Sequence, residues 1–295
     1  MKRQYKNYPL TSQKINEIVG KHIQAIFLKP VKLKNPRINL MIEIVKGMAY
    51  IGYQRVQGFG GLPVGTSEHA LSMISSGIDS PVASFEMLKR GVNLSYIHFH
   101  SVPATNRQSI KNVEEILQIL SGYQVYCKLY MVPFLSIQQR IMEKSPNKLW
   151  VILFRRAMVR IASIIAKEIN APALISGESV GQVASQTLTN IRATSEVSDR
   201  PILRPLCGRN KEDIIKLAQK IGTYDISVEP YEDCCSFFVP THPETKANLN
   251  FIHKIESNIS YDSLLSDTLS KIINTTINNI KYIKNKKLSL SKIND

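Results

Sequence analysis

Five short stretches carry residue types that could hold a phosphorylated ligand or move a chemical group. The first is Ser75-Ser76-Gly77-Ile78-Asp79-Ser80. It follows the apolar run Leu71 to Ile74 and precedes a helical pattern, with Ser80 suited to cap the helix and Pro81 to its first position. A strand, a Ser/Gly turn and a helix N-terminus together aim backbone N–H groups and a positive dipole end at one point, which suits an anion. The alternative is an ordinary strand-to-helix turn built of small residues. No Lys follows the glycine, so this is not a Walker loop. The other stretches are His98-Phe99-His100-Ser101, the pair Arg155-Arg156, the run Gly177 to Thr187, and the tandem Cys234-Cys235. Each also has a plain structural reading. Met73, Ile74 and Phe99 suit an apolar core, His98 a paired structural histidine, and the arginines a solvated helix face. Gln186 suits a surface site, and the two cysteines suit small buried positions.

The elements that must position these residues follow from periodicity. From residue 70 onward, strands alternate with helices, the pattern of a parallel α/β sheet. Strands are expected at 70–75, 93–99, 124–132 and 172–176. Helices are expected at 80–90, 106–121, 134–143, 147–168, 181–189 and 210–221. Such sheets bind ligands beyond the carboxyl ends of their strands, where residues 75–80 and 98–101 fall. Upstream, Ile15, Ile18, Val19, Ile23, Ile26 and Phe27 share one face of a helix over 12–28. Strands at 38–45 and 48–56, with Gly47 between them, read as a hairpin. The Gly/Pro-rich run 58–65 marks a boundary. The expected organisation is therefore a partial α+β domain over 1–56, a linker over 57–69, an α/β domain over 70–244, and a polar, basic, helical or partly disordered tail over 245–295.

Charge narrows the partner. The net charge of +15 comes almost entirely from the two ends: residues 1–60 carry +9 and residues 270–295 carry +5. A nearly neutral middle with basic flanks suits a polyanion, with RNA or DNA ahead of a membrane; the alternative is a solvated basic surface. No apolar run approaches the ~20 residues of a membrane-spanning helix. Four cysteines without a C-x-x-C pair, and six scattered histidines, argue against a disulfide scaffold or a zinc site. A reducing, cytoplasmic setting is expected.

The 75–80 stretch resembles the pyrophosphate loop of the N-type ATP pyrophosphatases, S-G-G-x-D-S. Taken together with Gly60 to Thr66, Gly177 to Thr187, Leu203-Arg204-Pro205-Leu206, Ile221 to Ser227 and Pro230-Tyr231-Glu232-Asp233-Cys234-Cys235, the chain resembles the tRNA 4-thiouridine synthase (tRNA uracil sulfurtransferase) family. The resemblance runs from about Tyr8 to Pro240. It implies a THUMP RNA-binding domain ahead of the ATP pyrophosphatase domain and a two-step reaction. ATP adenylates O4 of a uridine (uridine 8 in the family) at the bend between the acceptor and D stems of tRNA. Persulfide sulfur then displaces AMP. It implies nucleotide contacts at Met73, Ile74, Ser75, Gly77, Ser80, His98, Phe99, Arg155, Gly177 and Gln186, and Asp79 as a holder of Mg²⁺. It also implies a cysteine desulfurase as persulfide donor, a small sulfur-carrier protein for thiamine thiazole synthesis, and a homodimer. Cys234 and Cys235 are the candidates for sulfur transfer, one attacking while the other resolves.

Two departures stand out. Ser76 takes the place of the family's first loop glycine, and a Cβ there costs ~1–2 kcal/mol if the turn requires positive φ or a close approach of phosphate. By the resemblance, the chain as given is also expected to start within the THUMP domain and to hold too few residues after Pro240 for the rhodanese domain of some members. The expectation is an N-terminally truncated sulfurtransferase; the alternative is a weakly active or inactive nucleotide- or RNA-binding remnant. Another ATP pyrophosphatase, such as an amide-forming ligase, is a third reading, against which the 58–66 motif and the basic flank stand.

Overall fold

The computed structural model describes residues 2–32, 34–232, 234, 238 and 242–278, with Asp262 described in its backbone only. The chain divides into two compact units, Met1–Phe59 and Gly60–Asp295.

In the first unit, helix α1 (Ser12–Phe27) starts where the Thr11 hydroxyl accepts the Lys14 N–H. Strand β1 (Lys2–Arg3) pairs in parallel with β2 (Met41–Val45), which forms an antiparallel hairpin with β3 (Met48–Gly52). Gly47, at φ +82°, makes the turn. Ile15 of α1 packs on Ile42 and Ile44, with Tyr8 and Val19 alongside. The second strand of the hairpin is shorter than expected and largely exposed.

The second unit is built on a six-stranded sheet, and most of its chemistry lies at one end of that sheet. In chain order its elements are β4 (His69–Met73), α2 (Asp79–Leu88), β5 (Asn93–His100), α3 (Gln108–Gln124), β6 (Tyr126–Pro133), α4 (Leu135–Lys144) and α5 (Trp150–Glu168). Then come β7 (Leu174–Ile175), α6 (Leu188–Ser195), β8 (Ile202–Leu203), α7 (Lys211–Ile221), α8 (Tyr224–Ser227), α9 (Leu249–Glu256), α10 (Tyr261–Ser270) and β9 (Ile273–Asn278). The strand order is β8-β7-β4-β5-β6-β9, parallel throughout except for β9, which runs antiparallel to β6. Leu71, Ile97, Phe99 and Val132 from the strands pack against Ile152, Leu153, Phe154 and Ile161 of α5 in one core. Burying such side chains is worth ~1.5–3 kcal/mol each, which is why the strands read as nearly continuous apolar runs.

The structure corrects three expectations. Residues 249–278 are not a peripheral tail. Ile252, Ile255, Ile259 and Tyr261 join the main core, and β9 forms an edge of the sheet. The apolar positions 252, 255 and 259 carried a helical stripe that the surrounding Asn, Ser and Lys obscured. Residues 279–295 lie outside the described residues. Second, the helix expected at 181–189 is a short 3₁₀ turn (Ala184–Gln186) followed by α6, which starts where the Thr187 hydroxyl accepts the Asn190 N–H. Third, Ser80 does not cap α2 from outside. It lies within the first turn, and the cap residue is Ile78.

Candidate active site

The loop between β4 and α2 is closed by its own serines. The Ser75 N–H donates to Ser80 Oγ at 2.8 Å, and Ser80 Oγ donates back to the Ser75 carbonyl at 3.1 Å. Below it, Ser84 Oγ donates to the Ser80 carbonyl and meets Ser72 Oγ at 2.9 Å, tying α2 to β4. The turn after β7 packs directly on this loop. A Cβ on Gly177 would sit 2.7 Å from the Ser80 nitrogen, so only glycine allows the approach. Ser76 is fully buried and has no positive φ. The strain anticipated from its Cβ is therefore absent, because the turn reaches its shape through ordinary backbone angles.

Beyond the strand ends lies a cavity of about 210 Å³. It gathers Met73, Ile74, Ser75, Asp79 and Ser80 from the first motif, His98 and Phe99 from the second, and Arg155, Gly177, Gln186 and Cys234 from the others. Gly77 does not line it, and lies instead beside the Tyr231 hydroxyl. Cys235 lies outside the described residues.

The cavity wall is asymmetric in its hydrogen-bonding capacity. His98 Nδ1 is 3.1 Å from the Ile74 carbonyl, which only accepts, so this nitrogen carries the proton. Burial, partly opposed by that hydrogen bond, lowers the His98 pKa to about 4, so the ring is neutral near pH 7. Its Nε2 is therefore an acceptor, buried and without a partner among the described residues, and so is Gln186 Oε1. Two orphaned acceptors on one cavity fit a ligand that brings N–H or O–H donors.

The opposite character appears at the loop. The Asp79 carboxylate accepts from Lys211 Nζ at 2.5 Å and from Gln182 Nε2 at 3.0 Å. Glu178 joins Arg155 and Arg204, the latter at 2.6 Å, and Arg204 also donates to Ser195 Oγ. Lys211, Glu178 and Arg204 had no role assigned from the sequence. Glu178 and Arg204 stood inside quoted motifs, but Lys211, at the start of α7, carried no local signal. Cations next to this loop favour a phosphorylated ligand.

Among the described residues, no cluster of three or more His, Cys, Asp or Glu could hold a metal by itself. Asp79 fits Mg²⁺ only in the manner of nucleotide sites, where one carboxylate and the ligand's phosphates share the ion. Of the other cysteines, Cys127 is buried and its thiol is pushed up to about 12 by that burial, and Cys207 is exposed and does not line the cavity.

The family model described as "Thiamine biosynthesis protein (ThiI)" matches residues 65–261, and the THUMP domain model matches residues 1–53. The chain belongs to the ThiI family. A probable tRNA sulfurtransferase of Clostridium kluyveri is 43% identical over 269 residues, spanning 91% of this chain and 70% of that protein. One of Moorella thermoacetica is 41% identical over 271 residues, spanning 92% and 70%. A crystal structure of a 4-thiouridine synthetase–RNA complex with bound ATP superposes with a TM-score of 0.84 at 37% identity, covering 94% of this chain and 72% of that one. ThiI relatives thus share both the sheet and the THUMP unit with this chain, and it spans about 70% of the length of the curated relatives.

Proposed function

We propose that this chain is an ATP-dependent tRNA sulfurtransferase that makes 4-thiouridine. One observation carries the reading: the serine-closed loop, Arg155, Arg204 and Cys234 all line a single cavity, and Lys211 pairs with Asp79, which lines it too. The ThiI relationship supports it.

ATP binds with its phosphates at the 75–80 loop. The ligand's N–H or O–H donors satisfy His98 Nε2 and Gln186 Oε1. Arg155 and Lys211 meet the phosphate charge; Asp79 would hold Mg²⁺, which when bound would neutralise phosphate oxygens. The uridine O4 attacks the α-phosphorus, the bond to the β-phosphate's bridging oxygen breaks, and pyrophosphate leaves. The outer sulfur of the persulfide then adds to C4, the C4–O4 bond breaks and AMP departs carrying the oxygen. AMP is a far better leaving group than the uracil oxygen alone. A second thiol attacks the inner sulfur, the S–S bond breaks to release 4-thiouridine, and an external thiol reduces the disulfide left behind. Cys234, buried to 6% exposure on the cavity wall, carries the sulfur or resolves the persulfide. The partners in this reading are tRNA, a cysteine desulfurase and a small sulfur carrier for thiazole synthesis; a homodimer completes it.

The test is tRNA-dependent ATP–pyrophosphate exchange, measured alongside 4-thiouridine formation. The full chain is expected to show both. Cys234→Ala is expected to keep exchange and lose thiouridine. Absence of exchange in the full chain overturns the enzyme reading, and full thiolation in Cys234→Ala overturns the role of the thiol.

A further inference from the structure

In the proposed reaction the Cys234 sulfur must meet its reaction partner with ångström accuracy. Three contacts of the described residues Tyr231, Glu232 and Cys234 bear on its position. The Tyr231 hydroxyl lies beside Gly77 of the loop, 3.3 Å from where a Cβ on that glycine would stand. The Glu232 carboxylate accepts the Asn106 N–H at 3.0 Å, just ahead of α3. The third contact is the buried one. Gln138 of α4, with no exposed surface, donates from Nε2 to the Cys234 carbonyl at 2.6 Å. Its Oε1 accepts from Ser101 Oγ at 2.5 Å, and Ser101, equally buried, directly follows β5.

We infer that Gln138 is a positioning residue for sulfur transfer: its amide clamps the Cys234 carbonyl to the end of β5 and so sets where the thiol stands on the cavity wall. This rests on the reading of Cys234 as the sulfur-handling cysteine. The chemistry of the clamp is specific. An amide can donate to one carbonyl and accept from one hydroxyl at the same time, and here the hydroxyl sets its orientation. A carbonyl anchored in this way restrains the peptide plane next to its residue and narrows the directions open to the Cα–Cβ bond. The anchor begins at Ser101, one residue past the end of the strand whose His98 and Phe99 line the cavity, so Cys234 and the nucleotide site are tied to the same strand end. Gln138 itself does not line the cavity.

Gln138→Met keeps volume and removes both bonds. Because a displacement of about 1 Å in a reacting group can cost ~100-fold, thiouridine formation with a cysteine desulfurase and cysteine is expected to fall 10- to 100-fold. ATP–pyrophosphate exchange is expected to stay within twofold. Sodium sulfide, a donor that needs no protein thiol, is expected to restore thiolation in Gln138→Met. Gln138→Glu presents a carboxylate to a carbonyl at neutral pH and a hydroxyl donor once protonated. Its thiolation defect is therefore expected to shrink as pH is lowered, a profile that a packing defect would not produce. Ser101→Ala removes only the orienting bond and is expected to lower thiolation several-fold, again with exchange intact; it decides the matter if Gln138→Met does not fold. Equal loss of both activities, or full thiolation in Gln138→Met while Cys234→Ala is inactive, overturns the inference. Full thiolation in Cys234→Ala instead overturns the reading beneath it.

Discussion

Two neighbouring arginines on α5 end up in opposite roles. Arg155 reaches Glu178, which it shares with Arg204, on the wall of the cavity. Arg156 reaches Glu256 of α9, which it shares with Arg160, and also Glu196 and the Ala193 carbonyl. Each cluster places two arginines on one glutamate. They differ in closure. The Arg155 side chain is 24% exposed and Glu178 is its only polar partner among the described residues, whereas Arg156 is 1% exposed and spends its donors on two carboxylates and a carbonyl. Burial opposes the Arg156 charge, but Glu256 and Glu196 more than compensate and raise its pKa. A satisfied, sealed guanidinium fastens helices together; one with unused donors on an open wall can take a ligand's charge.

The sharpest way to separate the two is Arg156→Met. It leaves the Glu256 carboxylate buried beside Arg160 alone, and breaking a buried pair from one side costs ~3–5 kcal/mol. Urea denaturation should show that loss, with ATP affinity of the folded fraction within about threefold of wild type. Arg155→Ala should do the reverse. Nucleotide titration should show about tenfold weaker ATP binding, ~1.4 kcal/mol, with stability changed by less than ~1 kcal/mol.

Acid should also separate the two regions. His98 and His100, both lowered to about 4 mainly by burial, bind fewer protons folded than unfolded, where the value is 6.5. Stability at the cavity end is therefore fully present above pH 6.5 and is lost as pH falls from 6.5 toward 4. Glu196 is lowered by His253 and then by Arg156, so its contribution is present above 4.5 and lost only below it. Denaturation midpoints measured from pH 7 to 4 should decline, and His98→Gln should flatten the part between 6.5 and 4. The smallest effect is expected from Ser76→Gly. Because Ser76 has no positive φ, restoring the family's glycine should change ATP affinity by less than about threefold, measured by the same titration.

The middle of the parallel sheet was legible because β4 and β5 are buried on both faces and are mostly apolar; β8, two partly exposed residues, was not expected. The C-terminal part was not. Its strand β9, Ile-Asn-Thr-Thr-Ile-Asn, lies at an edge where one face stays wet, so its polar residues resembled a solvated tail. The cavity residues were legible as motifs, and eleven of the thirteen singled out line one space; Gly77 lies beside it and Cys235 is outside the described residues. Lys211 and Gln138 were not, since each acts through a contact more than 90 positions away in the chain.

By itself the sequence determined what is local and additive: strand and helix periods, small residues where the backbone turns tightly, the ThiI motifs and the basic flanks. Only the tertiary structure decided what depends on a neighbour distant in the chain. It showed that Gly177 is needed because the Ser80 backbone lies against it, that Ser76 needs no glycine geometry, and that Arg155 and Arg156 part company. The physical reason is that burial and pairing belong to a position in space. A guanidinium, an amide or a thiol has its role set by the partner the fold brings to it, and residue type alone does not name that partner.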